Sequence, residues 1–498
     1  MVIKRTEHYK STQNDIDNGV VNKLVGLLFA DDSVGAAQNY NDITRVVGFM
    51  EAWAGVFGMS FGLTKCAIMV VQGKGKPLET KRDIFLCGEA IPWESEYEYL
   101  GLWFNDDLDK SKMVKELAKK IGTKSLPAMR KMVGGACIPL ALRLRAVKSL
   151  LIPALTYGGG LFGLHGTASK STAPALVREL ESVLNSALFM ISKGSWSASS
   201  RSLAAVNTLR RDWQIPSVEA VWAGKCARAL VKFRFSKGWV AEVMKHAPPH
   251  KGATKGWQEA ARLTCNKTAK LFGYEVGSDW TVEDMPVQQQ FLDSFMGKSE
   301  KELGPVPANV RKALLGSHFL SGAPLPADGD LQAQVGIISR REGRCVQMVV
   351  EECSYRRTST GTAYAASVCR YAKGGFESSR ADVIKASLLH PELSSGFHWI
   401  ARIRSGNFYL WKQAVDLAGR MEAVQLANNT VKEGCGCCGK DDVPDSLAHF
   451  FFDCKAAGLE ELRERMGLQE LAQVSGERAG YHSVSELRWQ IFSRDEGN

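Results

Sequence analysis

Two adjacent carboxylates, Asp31 and Asp32, follow the apolar run Leu27-Leu28-Phe29-Ala30 and precede a second short apolar segment. The pattern predicts a buried strand, a tight turn carrying both carboxylates, and a returning strand. Carboxylates at a hairpin tip suit a hard divalent cation such as Mg²⁺, which takes oxygen ligands and leaves positions for substrate phosphates. Asp is also a favoured turn residue where no metal binds. A second donor set lies near the C-terminus: Cys435-x2-Cys438, ten residues, His449, four residues, Cys454. Zn²⁺ takes three thiolates and an imidazole tetrahedrally, and a closed four-ligand site of that kind is structural, not catalytic. The glycine-bounded segment 434–439 supplies the knuckle between the first two ligands, and 447–452 packs apolar residues around the metal. Cys437, adjacent to Cys438, is spaced wrongly for a chelate and reads as a bystander.

Charge points to a polyanionic partner. The chain has 498 residues and a formal net charge of +10. Eleven Lys or Arg and one acid, Glu116, fall between Lys110 and Lys148. A second tract, residues 201–262, has twelve basic against four acidic residues, with Trp213, Trp222, Trp239 and Trp257 interleaved. Basic helices with aromatics meet the electrostatic and stacking needs of a nucleic acid. For the second tract an alternative stands equally: a solvated helix face over core tryptophans. No apolar run is long enough to span a membrane, and the N-terminus does not read as a signal peptide. The irregular spacing of most of the twelve cysteines suits a reducing compartment.

The elements that must position these groups follow from the hydrophobic pattern. Residues 1–22 read as an irregular lead-in. Residues 42–57 form an amphipathic helix with Ile43, Val46, Val47, Met50, Trp53 and Ala54 on one face, broken by Gly58. A strand-like segment over 60–71 has Lys65 at its entry, and further strands are expected at 84–86 and 97–104. Apolar residues recur at Met113, Leu117 and Ile121, and again at Leu140, Leu144, Val147 and Leu151, predicting helices. Residues 166–395 alternate helical patterns with Gly, Pro and Ser breaks.

Phe29-Ala30-Asp31-Asp32, a helix, Lys65 and then Tyr99-Leu100-Gly101 resemble, in order, the palm motifs of reverse transcriptases. The likeness is greatest to those of LINE-type (non-LTR) retrotransposons. The resemblance implies that Asp31 binds the catalytic Mg²⁺ (or Mn²⁺), with Asp32 beside it and Lys65 near the departing pyrophosphate. It implies that Tyr99, Leu100 and Gly101 lie in the hairpin holding the primer end. In place of the Asn the family often has before that lysine stands Phe61-Gly62-Leu63-Thr64. A helical thumb follows, with Lys112, Lys115, Lys119, Lys120, Arg143, Arg145 and Lys148 neutralising the template–primer backbone. Pro153 to Tyr157-Gly158 resembles the thumb's Pro-x-x-x-Tyr-Gly close. Ile403-Arg404-Ser405-Gly406 resembles the element preceding the family's Cys-Cys-His-Cys module, and Arg404 is counted with the nucleic-acid contacts.

The expected architecture is α+β: a partial palm sheet with helices over 23–108, a helical thumb over 109–165, a mostly helical middle over 166–395, and a small zinc module over 396–498. Two-metal transfer needs another aspartate on an earlier palm strand, and none of the residues before Asp31 reads as that strand. The isolated chain is therefore expected not to polymerise DNA. The 44 residues after Cys454 are too few for the nuclease domain some relatives carry. Two functions follow: part of an RNA-directed DNA polymerase acting on an RNA template and a DNA primer or target, or a catalytically silent nucleic-acid-binding protein derived from one. The family works on chromosomal DNA, so the resemblance implies the nucleus where the host has one.

Overall fold

Local pattern dictates the helix that follows the first hairpin. Asn39 accepts a hydrogen bond from the Asp42 amide at 2.9 Å and donates to its carboxylate at 2.7 Å, so helix α1 (Tyr40–Val56) starts two residues before the expected helix at 42. At its other end Gly58 takes φ +63°, and the Met59 amide closes on Ala54 O at 2.8 Å. In this computed structural model the described residues are 2–3, 26–29, 32–37, 39–71, 82–135, 137–162, 175–192, 203–235, 305–321, 328–355, 376–393, and 397, 400, 401, 404, 438, 454–456 and 458–461.

Helices dominate, accompanied by small sheets that are all two-stranded among the described residues. Strand β1 (Val2–Ile3), expected to be part of an irregular lead-in, pairs in parallel with β4 (Val70–Val71). Strands β2 (Gly26–Phe29) and β3 (Asp32–Gly35) form the expected antiparallel hairpin. Two more hairpins follow, β5 (Phe85–Leu86) with β6 (Glu89–Ala90) and β7 (Glu96–Tyr99) with β8 (Leu102–Asn105). The segment 97–104, expected as one strand, thus folds back on itself. Both hairpins turn through two residues with positive φ, Cys87-Gly88 and Leu100-Gly101. That is the type I′ geometry whose twist matches paired strands. A small core of Ala37, Ile43, Val47, Ile68, Ile84, Leu86 and Ile91 joins α1 to these strands.

A second, larger core runs from Leu102 to Ala401. It takes in α2 (Lys110–Lys120), α3 (Leu126–Gly134), α4 (Leu140–Ala146), α5 (Ile152–Leu155) and α6 (Gly159–Phe162). It continues through α7 (Arg178–Ser192), α8 (Leu203–Trp213), α9 (Val218–Phe235), α10 (Ala308–Gly316), α11 (His318–Ser321), α12 (Asp328–Tyr355) and α13 (Phe376–Leu389). Met113, Leu117, Ile121, Leu140, Leu144, Val147 and Leu151 are all buried in it. Two π-helical segments, Ile121–Ser125 and Val147–Leu151, each end two residues before a proline, Pro127 and Pro153. Proline has no N–H to donate and its ring clashes with the carbonyl four residues back, so the widened turn lets each helix continue. No helix among the described residues is long and apolar enough to cross a membrane.

Candidate nucleic-acid interface

Asp32 opens β3, pairs with Phe29 across the hairpin, and is exposed. Asp31 lies outside the described residues. β3 sits tightly on α1, because a Cβ added at Gly35 would come within 2.6 Å of Val46 Cγ1. Asp32 lies within electrostatic reach of β7: burial first, and then the Asp32 carboxylate, raise the Tyr99 phenol above its ordinary value. The Tyr97 phenol is also raised, by burial, then the Cys66 thiol, then Asp32. The Tyr97 hydroxyl donates to the Lys65 carbonyl at 2.6 Å. Lys65 closes a single 3₁₀ turn, Leu63–Lys65, with its side chain in solvent. The charge of Asp32 and the backbone of Lys65, separated along the chain, thus both act on β7, while the Lys65 ammonium stays in solvent. An exposed carboxylate such as that of Asp32 has the hard-oxygen chemistry Mg²⁺ or Mn²⁺ takes.

Leu100 and Gly101 form the tip of the β7–β8 hairpin, with φ of +49° and +78°. A non-glycine residue in the left-handed region costs roughly 1–2 kcal/mol and persists only where its surroundings hold it. Tyr157 does the holding. Its hydroxyl donates to the Leu100 carbonyl at 2.7 Å, and a Cβ at Gly101 would lie 3.5 Å from its ring. Tyr157 is fixed in turn by its neighbours, since Lys225 Nζ donates to Thr156 O at 2.5 Å and Thr156 Oγ1 at 2.9 Å. Burial lowers the pKa of Lys225. Tyr157→Phe should therefore cost about 1 kcal/mol. It should also raise hydrogen exchange at Gly101 and Leu102 while leaving the β5–β6 hairpin unchanged; uniform exchange across both hairpins would refute the brace.

The expected basic face divides. Lys112, Lys115, Lys119, Arg145 and Lys148 are exposed, with Lys112 bonded to Asp107 at 3.1 Å and Lys119 to Glu116 at 3.4 Å. Lys120 is half-buried and pairs with Glu98 on β7, tying α2 to the sheet. Lys124, Arg130 and Lys131, within the same tract, are also exposed. Two of the expected phosphate-binding residues do not lie on this face. Arg143 is fully buried, with Nη1 donating to Ile191 O at 3.4 Å, and burial lowers its pKa. Arg404 is buried too, with Nε and Nη2 donating to Asp212 Oδ1 at 3.0 and 2.6 Å. A guanidinium enclosed in this way does not meet a phosphate. Arg143 falls on the apolar stripe of α4, one residue before Leu144, so helical spacing carried the signal for its burial.

The second basic tract is mostly interior where it is described. Trp213 and Trp222 are core residues, which decides that pair against base stacking; Trp239 and Trp257 lie outside the described residues. Arg210 pairs with Glu181 and bonds Asn185 at 2.7 Å, and Arg211 lies 5.5 Å over the Tyr355 ring. Glu351 accepts from the Ser217 amide and hydroxyl at 2.8 and 3.0 Å. Burial raises the pKa of Glu351, and burial together with Glu351 raises that of Tyr355.

Of the expected zinc ligands, Cys454 is buried and Cys438 lies half-buried in a turn, while Cys435 and His449 lie outside the described residues. Two sheltered thiols have the soft-donor chemistry of a structural Zn²⁺ site. No family model, curated protein or solved structure matches the chain.

Proposed function

We propose that this chain is the palm-and-thumb part of an RNA-directed DNA polymerase of the LINE-type retrotransposon class, gripping an RNA–DNA template–primer on the exposed face of α2–α4. The observation that carries this reading is that the Lys65 backbone is bonded to Tyr97 of β7, within electrostatic reach of Asp32, while α2, tied to β7 by the Lys120–Glu98 pair, exposes Lys112, Lys115 and Lys119. Asp31 and Asp32 would hold Mg²⁺ or Mn²⁺, which when bound supplies activation of the primer hydroxyl and charge stabilisation at the leaving phosphates. Lys65 places a positive charge near those phosphates, and the Leu100–Gly101 tip supports the primer end. Cys435, Cys438, His449 and Cys454 would hold a structural Zn²⁺. Chromosomal DNA as the target would place the work in the nucleus.

Fluorescence anisotropy with a labelled RNA–DNA hybrid tests the grip. Changing Lys115, Lys119 and Lys148 together to Ala should weaken binding at least about tenfold and reduce the salt slope by about one for each phosphate no longer neutralised. Unchanged affinity and slope would remove the basic face from the proposal. For the metal, Fe²⁺ in place of Mg²⁺ should direct hydroxyl-radical cleavage to residues 29–34, and Asp32→Asn should abolish it. Hybrid binding without that cleavage is the signature of a catalytically silent nucleic-acid-binding protein.

A further inference from the structure

Two thiols converge on one face of the small core. Cys66 leaves the Leu63–Lys65 turn in extended conformation, half-buried, and its thiol donates to Gly62 O at 3.6 Å. Two residues on, Ile68 bridges Trp93 in parallel, its amide donating to Pro92 O at 2.9 Å and its carbonyl accepting from the Glu94 amide at 2.8 Å. That register sets Cys66 beside Ile91, and the two-residue period of extended chain turns both toward the side that carries Ile68. The Ile91 amide donates in turn to Ile84 O at 2.8 Å, so Ile84 and Leu86 continue the same face. Cys66 packs against the core that Ile68, Ile84, Leu86 and Ile91 form. Cys87 follows Leu86 directly and is exposed at the tip of the β5–β6 hairpin, with φ +52°. Its thiol is near enough to add to the upward push that burial gives the Cys66 pKa.

We propose that Cys66 and Cys87 are a redox pair that closes to a disulfide when glutathione disulfide accumulates, fastening the turn of Lys65 to the β5–β6 hairpin. A disulfide needs Cα atoms about 4.4–6.8 Å apart, close to the spacing of neighbouring strands. The hairpin tip is free to lean that far. Its strands pair over only two residues each, and a Cβ added at Gly88 would meet nothing within 4 Å. Exposure sets the order of the steps. The Cys87 thiolate attacks one sulfur of glutathione disulfide, forms a mixed disulfide and releases one glutathione. The sheltered Cys66 thiol then loses its proton to water, attacks the Cys87 sulfur and expels the second glutathione. Two protein thiols are oxidised and one glutathione disulfide is reduced to two glutathiones. In a reducing compartment the pair stays open, and closure is the transient kind that reports oxidation. The closed form restrains the turn whose Lys65 carbonyl accepts from Tyr97 of β7, which carries the redox state toward the candidate site. The pair itself does not depend on the polymerase reading.

The test is treatment of the full chain with glutathione disulfide, blocking of remaining thiols with N-ethylmaleimide, and mass spectrometry of a digest made without reduction. The peptide carrying Cys66 should appear joined to that carrying Cys87, with the loss of two hydrogens and no glutathione left on Cys87. Cys66→Ser should instead retain glutathione on Cys87, and Cys87→Ser should leave Cys66 as a thiol. Glutathione that persists on Cys87 of the wild-type chain, or Cys66 linked to a different cysteine, would overturn the proposal. So would linkage that forms as fast in the urea-unfolded chain, since the fold would then contribute nothing to it. Cys66→Ala serves in place of Cys66→Ser if the hydroxyl beside the core prevents folding.

Discussion

Arg404→Ala should destabilise the helical core by about 3–5 kcal/mol, the range for removing one partner of a buried ion pair. Nε and Nη2 of Arg404 both donate to Asp212 Oδ1, and the side chains are only 7% and 5% exposed. Removing the guanidinium leaves a carboxylate inside the protein whose other neighbours were arranged around a paired charge. The pair joins residues 192 positions apart, so breaking it also removes a long-range tie to α8. Urea unfolding followed by tryptophan fluorescence reads this directly, because Trp213 is buried next to Asp212. Replacing both partners, Arg404→Met with Asp212→Leu, should recover most of the stability, since an apolar pair carries no desolvation penalty. Lys115→Ala should move the unfolding free energy by no more than about 0.5 kcal/mol, as exposed substitutions do. The two variants should also separate in hybrid binding: folded Arg404→Ala retains it, whereas Lys115→Ala weakens it. An Arg404→Ala chain of normal stability that binds poorly would return Arg404 to the nucleic-acid face.

The behaviour of Arg404 shows which parts of the molecule the residue order carries. Hairpins and helices are set by neighbours: the apolar run into Asp31-Asp32, the break at Gly58, and the apolar stripes of α2 and α4 give elements where local pattern places them, while the Asn39 cap starts α1 ahead of its stripe. The turn at Leu100-Gly101 is harder to read, because the apolar run continues through it and only a glycine marks the positive φ. Charge carries less information, since a guanidinium has no partner until distant segments meet. Arg210, Arg211 and Asp212 read as part of a basic tract, yet each engages a separate element: Glu181 on α7, Tyr355 on α12, and Arg404. One signal is present. Three consecutive helical residues span about 200° of the helix surface, so with Leu209 and Trp213 directed inward they do not all fit one solvent-facing side. The exposed side of α1 misleads in the opposite sense. Its apolar residues cover more than one face, and spacing alone assigns Trp53, which is 49% exposed, to the wrong one.

Gly224→Val should lower stability by at least about 3 kcal/mol, at the upper end of what overpacking costs, because the obstruction is backbone. A Cβ at Gly224 would lie 2.5 Å from the Gly343 carbonyl, and one at Gly343 would lie 2.7 Å from the Gly224 carbonyl. The axes of α9 and α12 therefore cross at a pair of glycines, and neither side can yield by rotating a side chain. Glycine within a helix costs about 1 kcal/mol relative to alanine, so propensity alone predicts that Gly224→Ala stabilises. The geometry of the crossing predicts the reverse sign. Thermal unfolding distinguishes them, with a fall of roughly 6–12 °C expected for the valine variant. A rise in Tm for Gly224→Ala would refute the close crossing. The consequence reaches the candidate site, because α9 also carries Trp222, Lys225 and Cys226. The Trp222 ring lies where a Cβ at Gly159 would come within 2.5 Å, and Cys226 Sγ donates to Gly159 O at 3.6 Å. With Lys225 bonded to Thr156, these interactions fix the turn that carries Tyr157 to the Leu100 carbonyl. Forcing α9 away from α12 should therefore raise hydrogen exchange at Gly101 and Leu102 as Tyr157→Phe does. The exposed lysines of α2 should meanwhile continue to bind the hybrid, so the hairpin loosens while the grip persists.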